Sequence, residues 1–368
     1  MRVTAVLSRG PRSPFVLAPV ELDEPRPDEI LVRIVASGIC HTDLVVRSRA
    51  PADAPPLVLG HEGAGVVERT GSAVRGVAPG DRVLLSYRHC ADCASCRRGE
   101  PAYCESMLAL NNAGRRPDGS ATLTRDGQPL FGSFFGQSSF ASHALVTADN
   151  VVVVAEDEAK LAPLAPLGCG AQTGAGAVLN VLRPGEADTL VVYGAGSVGL
   201  SALLAARARG VRRVLAVDRL PARRAAARGL GADQTLDPDA LPAGTPLAEA
   251  VREATGGGPS HALDTTGSPA VVAEALRALA TRGTLAVVGL GPAELTLDVR
   301  DLLYGGKTLR GCVEGDAVPG RFLPELLALR AEGRFPVDAL VTTYPFEAIN
   351  EAVADQEAGR VIKPVLTW

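Results

Sequence analysis

Along the first third of the chain, short apolar runs alternate with Gly, Pro and Asp. Residues 30–36, 65–68 and 82–86 are rich in Val, Ile and Leu and bounded by such breakers, which predicts strands. From 105 to 140, Asn, Gly, Arg, Ser and Phe mix without a clear period. A loop of that length inside a compact fold is usually functional. The pattern changes near residue 170. Residues 189–193 read TLVVY, a continuous apolar run suited to a strand buried on both faces of a parallel sheet. A helical stretch over 197–209 follows, with Val198, Leu200, Leu203 and Leu204 as its apolar positions. Further strands are predicted at 214–217, 261–264 and 285–288, separated by Ala- and Arg-rich helical pieces such as 221–228 and 269–280. Strand alternating with helix predicts βαβ units and a parallel sheet. After Cys312 come two more helices, 322–331 and 347–356, and a final strand, 361–367. That strand has no βα partner nearby, so the tail is expected to return and complete the first domain.

The 368 residues exceed what one core usually supports, so two domains are expected. A hydrophobic fraction of 46% with mixed charge indicates a folded protein. Lys and Arg number 37 against 41 Asp and Glu, a net charge of −4, so no basic field exists to hold nucleic acid. No apolar run approaches the roughly 20 residues a bilayer requires. The opening MRVTAVLSRGPRSPF puts Pro and Arg where a signal peptide needs its apolar stretch, which predicts a cytoplasmic protein.

Seven cysteines are too few for a disulfide scaffold in a chain this long. Cys90, Cys93, Cys96 and Cys104 cluster within one short segment. Four thiolates there can close a tetrahedral structural zinc site with no open position; an iron–sulfur cluster or unligated thiols are the alternatives. Gly194-Ala195-Gly196-Ser197-Val198-Gly199 matches G-x-G-x-x-G between a buried strand and a helix. Asp218 follows at the end of the second strand of the unit. Gly194 allows the tight turn, Gly196 lets a pyrophosphate approach the backbone, and Gly199 allows close helix–strand packing. Asp218 suits the ribose hydroxyls of NAD and repels the 2′-phosphate of NADP, a preference that Arg219 tempers. The alternative is an ordinary glycine turn. Cys40, His61 and Cys169 each stand in a Gly-flanked setting, but spacing alone does not assemble them. Each cysteine also reads as a small buried hydrophobe, and His61 as a core histidine.

The stretches SGICHTDL (37–44), LGHEGAGVVE (59–68), PGDRV (79–83), CADCASC, LGCGAQTG (167–174), YGAGSVG (193–199) and GRVIKPVL (359–366) carry a resemblance. In order and over almost the full length, they resemble the zinc-dependent medium-chain alcohol dehydrogenases. CHTDLVVR (40–47), FGQSSFASHA (135–144) and EGDAVP (314–319) resemble the benzyl-alcohol (aryl-alcohol) branch of that family. The resemblance implies an α/β plus β chain: a GroES-like catalytic domain over 1–170 and 314–368, with a zinc lobe at about 88–106, and a Rossmann NAD-binding domain over 171–313. It implies Cys40, His61 and Cys169 as ligands of a catalytic zinc, Glu62 as an occasional further ligand, and two zinc ions per chain. Asp43 would orient His61, or else cap a turn.

The implied reaction is hydride transfer between a primary alcohol and NAD, with Thr42 taking the alcohol proton into a relay. Many relatives end that relay on a histidine three residues further on, where this chain has Val45. His41 is the nearest titratable substitute, and contact with the cofactor pyrophosphate is its other role. Arg360, Thr173 and Arg223 match cofactor positions; Arg223 reads almost as well as a surface arginine. Ser86 falls where several relatives place a bulky aromatic, which suggests room in the substrate pocket. Phe134, Phe135 and Phe140 either wall the alcohol channel or pack under the long loop. A roomy pocket suits aromatic or allylic primary alcohols. The alternatives are oxidation of an S-hydroxymethyl-thiol adduct and a non-catalytic nucleotide-binding scaffold. A homodimer is expected, with Rossmann sheets joined edge to edge, or a homotetramer.

Overall fold

The computed structural model of the chain describes residues 1–368 except Arg12 and Ala52. It divides into two compact units, residues 1–169, 318–324 and 341–368, and residues 170–317 and 325–340.

The first unit is built on a seven-stranded sheet. Val341–Pro345, Lys363–Thr367, Glu29–Gly38, Gly63–Thr70, Arg82–Leu85 and Val151–Val154 are neighbours in that order, and His143–Thr147 also pairs with Glu29–Gly38. Glu29–Gly38 is buried on both faces. Ile30, Val32 and Ile34 pack with Val67, Val83, Leu85 and Ala144, while Leu31 packs with Val3, Val20 and Leu145. The final strand runs antiparallel to it, Val365 opposite Gly38. A four-stranded sheet, ordered Arg2–Leu7, Val16–Leu22, Leu123–Arg125 and Gln128–Pro129, completes the unit.

Two expectations are corrected. Residues 105–140 are structured: they carry helix Met107–Asn112, the hairpin strands Leu123–Arg125 and Gln128–Pro129, and a turn of helix at Phe134–Gly136. Buried Arg116 anchors the excursion through Glu29 (2.6 and 3.0 Å) and Asp23 (2.9 Å), contacts distant in sequence that no local period reveals. Residues 314–317 and 325–340, expected in the first domain, lie in the second unit. Val337–Leu340 packs on helix Ser197–Ala208, and Arg334 donates to the Ala208 carbonyl (2.5 Å).

The second unit is a six-stranded parallel sheet ordered Gln234–Leu236, Arg213–Val217, Thr189–Tyr193, His261–Asp264, Thr284–Val287 and Thr308–Gly311. In chain order this is 3-2-1-4-5-6, the Rossmann arrangement, which binds ligands at the carboxyl ends where the strand order reverses. Thr189–Tyr193 lies at that reversal and is fully buried, as its unbroken apolar run requires.

Candidate metal centres and nucleotide turn

In the first unit, Cys40 caps the helix His41–Arg49 and His61 follows the left-handed Gly60 (φ +88°). Cys169 ends the helical stretch Ala162–Gly168. One buried carboxylate ties the first two together. Asp43 accepts from the Cys40 N–H (3.0 Å) and the Gly60 N–H (2.9 Å), and lies 2.9 Å from His61 Nδ1. Asp43 thus caps the start of the helix and faces the His61 ring with one carboxylate. With Nδ1 facing the carboxylate, the buried His61 Nε2 has no hydrogen-bond partner among the described residues. Ligand atoms of Cys40, His61, Glu62 and Cys169 all lie within 4.8 Å of one another.

The electrostatics of this group suit a cation. The Cys40 thiol sits well below its usual range because Cys169 hydrogen-bonds to it, against the effect of burial, and because His61 and Lys363 lie close. Burial disfavours the His61 imidazolium, but Asp43 and Cys40 outweigh it and hold its pKa well above the usual value. Burial pushes Glu62 up to about 7 against the pull of Lys363. Two sulfurs, of which Cys40 ionises readily, an imidazole with an unengaged Nε2 and a carboxylate fit a borderline-soft cation such as zinc.

Sequence reasoning missed Lys363. Its ammonium, 2% exposed, donates to Glu62 (2.8 Å) and to the Ile39 carbonyl (3.0 Å), beside Cys40. The signal available was a lone charge within the apolar tail strand. It missed Gln137 too, whose amide donates to the carbonyls of His61 (2.9 Å) and Ser86 (3.2 Å) and accepts from the Gly63 N–H (3.1 Å). Ser86 is buried, and its hydroxyl donates to the Gly168 carbonyl (2.7 Å), next to Cys169. Phe135 stacks on His61 (centroids 4.5 Å, planes 29° apart) and Phe134 meets it edge-on (5.4 Å, 86°). Phe140 instead packs edge-on against Phe15 in the apolar core. Thr42 is half-buried with Oγ1 3.7 Å from Cys40 Sγ, and His41 is exposed. Arg360 is 61% exposed and held by Asp355 (2.6 Å).

Cys90, Cys93, Cys96 and Cys104 also come together, with Cys90 and Cys96 sulfurs 3.9 Å apart. Backbone N–H groups point at three of the sulfurs: Cys93 to Cys90 (3.3 Å), Cys96 to Cys93 (3.5 Å), and Cys90 and Ser106 to Cys104 (3.3 and 3.4 Å). The Cys96 N–H leads in pulling the Cys93 thiol down to about 6, while burial and neighbouring thiols push Cys96 up to about 12. Four sulfurs this close ionise together only around a cation, so this set too fits a metal.

In the second unit, Gly194 has φ +92°, and a Cβ there would lie 2.3 Å from Thr265 Oγ1. A Cβ on Gly199 would lie 1.9 Å from the Gly194 carbonyl oxygen. A Cβ on Gly196 would meet nothing nearer than Arg223 Nη1 at 4.0 Å, which leaves that face open to a ligand. Helix Ser197–Ala208 starts there, with Val198 half-buried in its first turn. Ser197 Oγ and Arg223 Nε are buried and without hydrogen-bond partners among the described residues. Asp218 accepts from the N–H groups of Ala195 and Leu220 (both 2.8 Å), with Arg223 3.9 Å away. Arg219 turns to Asp239 (2.7 Å) instead. Open backbone, unengaged donors and a carboxylate fit a dinucleotide. Thr173 is buried with Oγ1 3.4 Å from Glu314.

Cysteine-rich donor sets in one unit and a dinucleotide turn in the other are the parts of a metal-dependent dehydrogenase, and comparison with known proteins agrees. Residues 26–156 match the family model of the alcohol dehydrogenase GroES-like domain, and residues 197–331 that of the zinc-binding dehydrogenase. The chain is 47% identical over 369 residues to a geraniol dehydrogenase of Castellaniella defragrans, covering 99% of this chain and 97% of that protein. It is 34% identical over 353 residues to an S-(hydroxymethyl)glutathione dehydrogenase of Komagataella pastoris, covering 95% and 93%. The crystal structure of the benzyl alcohol dehydrogenase of Acinetobacter calcoaceticus superposes with a TM-score of 0.93 at 41% identity, covering 100% of this chain and 99% of that one. The chain belongs to the zinc-dependent medium-chain alcohol dehydrogenases: an oxidoreductase with a GroES-like unit and a Rossmann unit.

Proposed function

We propose that this enzyme interconverts primary allylic or aromatic alcohols and their aldehydes, with NAD as the hydride carrier. The carrying observation is the buried Cys40, His61, Cys169 set, in which Asp43 grips His61 Nδ1 and leaves Nε2 beside the two thiols. Those three side chains would hold the catalytic zinc, with Glu62 in reach and Lys363 balancing its charge. When bound, zinc supplies the Lewis acidity that eases loss of the alcohol proton. NAD supplies the acceptor for the hydride. Thr42 takes up the alcohol proton through Oγ1 and passes it on. His41, one residue earlier and exposed, would receive it or contact the pyrophosphate. Gly194, Gly196, Ser197, Val198 and Gly199 would cradle the pyrophosphate, and Asp218 would accept from the ribose hydroxyls. The four-cysteine lobe would hold a second, structural zinc.

The names of the geraniol and benzyl alcohol dehydrogenases to which the chain is similar support the substrate class. So does the aromatic pair Phe134 and Phe135 against His61. A homodimer is supported by the exposed Val299, Leu303 and Tyr304 on the helix Val299–Gly305. Light scattering on the purified protein separates dimer from tetramer. Thiol-based metal sets favour a reducing compartment, which supports a cytoplasmic location; cell fractionation checks it.

The test is NADH formation by the zinc-loaded protein on ethanol, benzyl alcohol, geraniol and hydroxymethyl-glutathione. The expected result is a kcat/KM for geraniol or benzyl alcohol well above that for the other two. A preference for the thiol adduct refutes the substrate assignment, and silence on all four refutes the proposed activity.

A further inference from the structure

Residues 133–138 adopt a backbone that their sequence does not favour. Ser133, Phe135 and Ser138 have φ of 61°, 51° and 51°, in the left-handed region where only glycine is at ease, and Gly136 joins them at 65°. Such conformations persist only where the surroundings over-determine them, and they collect at functional sites. Here the surroundings do over-determine them. Ser138 Oγ donates to the Val58 carbonyl (2.6 Å) and accepts from the Phe134 N–H (2.8 Å). Asn150 donates to the carbonyls of Phe135 and Gly136 (both 3.2 Å).

What the contorted segment delivers is three contacts on one histidine. Phe135 lies on the imidazole face at 4.5 Å, Phe134 closes its edge, and Gln137 bonds the His61 carbonyl. Asp43 fixes Nδ1, but a single hydrogen bond to a carboxylate leaves the ring free to tilt about that contact. A stacked ring removes the tilt. We propose that Phe135 is a positioning residue, held in a strained backbone to fix the plane of His61 so that Nε2 stays aimed at the thiols of Cys40 and Cys169. This rests on the reading of that set as a metal site.

The test uses the full chain loaded with zinc, and with cobalt as a spectroscopic stand-in. Phe135→Leu keeps an apolar side chain and loses the stack. Phe346→Leu is the matched control, since Phe346 is also buried in the same apolar cluster but stacks on Trp368 rather than on His61. Metal retention is read by chelator competition, with the four-cysteine set as internal reference, and ligand geometry by the cobalt d–d bands. Phe135→Leu is expected to loosen the Cys40–His61–Cys169 metal about three- to ten-fold and to shift those bands, the scale of one aromatic pair. Phe346→Leu is expected to do neither. If Phe135→Leu does not fold, Phe135→Gly, which suits a φ of 51°, is expected to show the same loosening. Variants indistinguishable from Phe346→Leu overturn the positioning role alone. A wild-type chain that takes up metal only at the four cysteines overturns the metal reading and this inference with it.

Discussion

Replacing Asp43 with Asn tests the arrangement at its most connected atom pair. The carboxylate accepts from Cys40 N–H through Oδ2, and from Gly60 N–H and His61 Nδ1 through Oδ1, at 2.9–3.0 Å and with no exposure. An amide has one oxygen for three donors. If the oxygen stays toward His61 and Gly60, the new NH2 faces the Cys40 N–H and strands it. If the amide flips, its NH2 faces Nδ1, which must then accept, so the ring proton moves to Nε2 and blocks the metal-facing nitrogen. Bonds to a charged acceptor contribute about 1.5–3 kcal/mol each, and a stranded buried donor costs about 1–3 kcal/mol. One stranded donor and weakened bonds to the others predict a first unit about 2–4 kcal/mol less stable. Loss of a partner that orients a metal-binding histidine predicts about 10- to 100-fold weaker metal binding. Chelator competition reads the second quantity and denaturant unfolding of the metal-free chain the first. Unchanged zinc affinity in Asp43→Asn would refute the claim that this carboxylate fixes the imidazole.

Two further outcomes follow from the same structure. Asp218→Asn removes the charge that would repel a 2′-phosphate while leaving Arg223 3.9 Å away. The NAD-to-NADP ratio of kcat/KM is expected to fall about 10- to 100-fold, and an unchanged ratio would show that Asp218 does not read the ribose. Burial lowers the pKa of His143 and of His261, against the pull of Glu68 and of Asp188, from the ordinary 6.5. The unfolded imidazoles therefore take up protons first, so stability is full above about pH 6.5 and falls as pH drops below it. The stability that His143 contributes, read as the urea-midpoint difference between wild type and His143→Gln, is expected to shrink between pH 7.5 and 5.5; a difference that grows on acidification would contradict the sign.

How much of this the sequence disclosed depends on whether the cause was local. The run at 189–193 and the glycines after it are local: burial on both faces needs unbroken apolar residues, and the turn needs Gly194. The four cysteines are local as well, since one short loop brings them within reach. The excursion 105–140 is not. Its order comes from Arg116 reaching Glu29 and from Gln137 reaching His61, contacts a period count does not see. Ser86 shows the limit at single-residue scale. Its small side chain suggests room beside the substrate, but its hydroxyl bond to the Gly168 carbonyl, far along the chain, has no local signature. Arg360, matched to a cofactor position, is held on the surface by Asp355.

The remaining question is what makes three donors from distant segments converge, since no spacing rule joins 40, 61 and 169. Two glycines supply part of the answer. A Cβ on Gly38 would lie 2.0 Å from Glu62 Oε2, and one on Gly168 would lie 2.0 Å from the Leu85 carbonyl oxygen. Each therefore lets a strand or turn bearing a donor approach its neighbour more closely than any side chain permits. The approach carries Cys40 toward His61 and Glu62, and Cys169 toward the strand that leads into Ser86. Asp43, Gln137 and Ser86 then fasten the converged backbones by hydrogen bonds to N–H and C=O groups beside the donors. The donors name the chemistry, while residues that touch no ligand set their positions. Enlarging either glycine would thus disperse the set even with every donor intact.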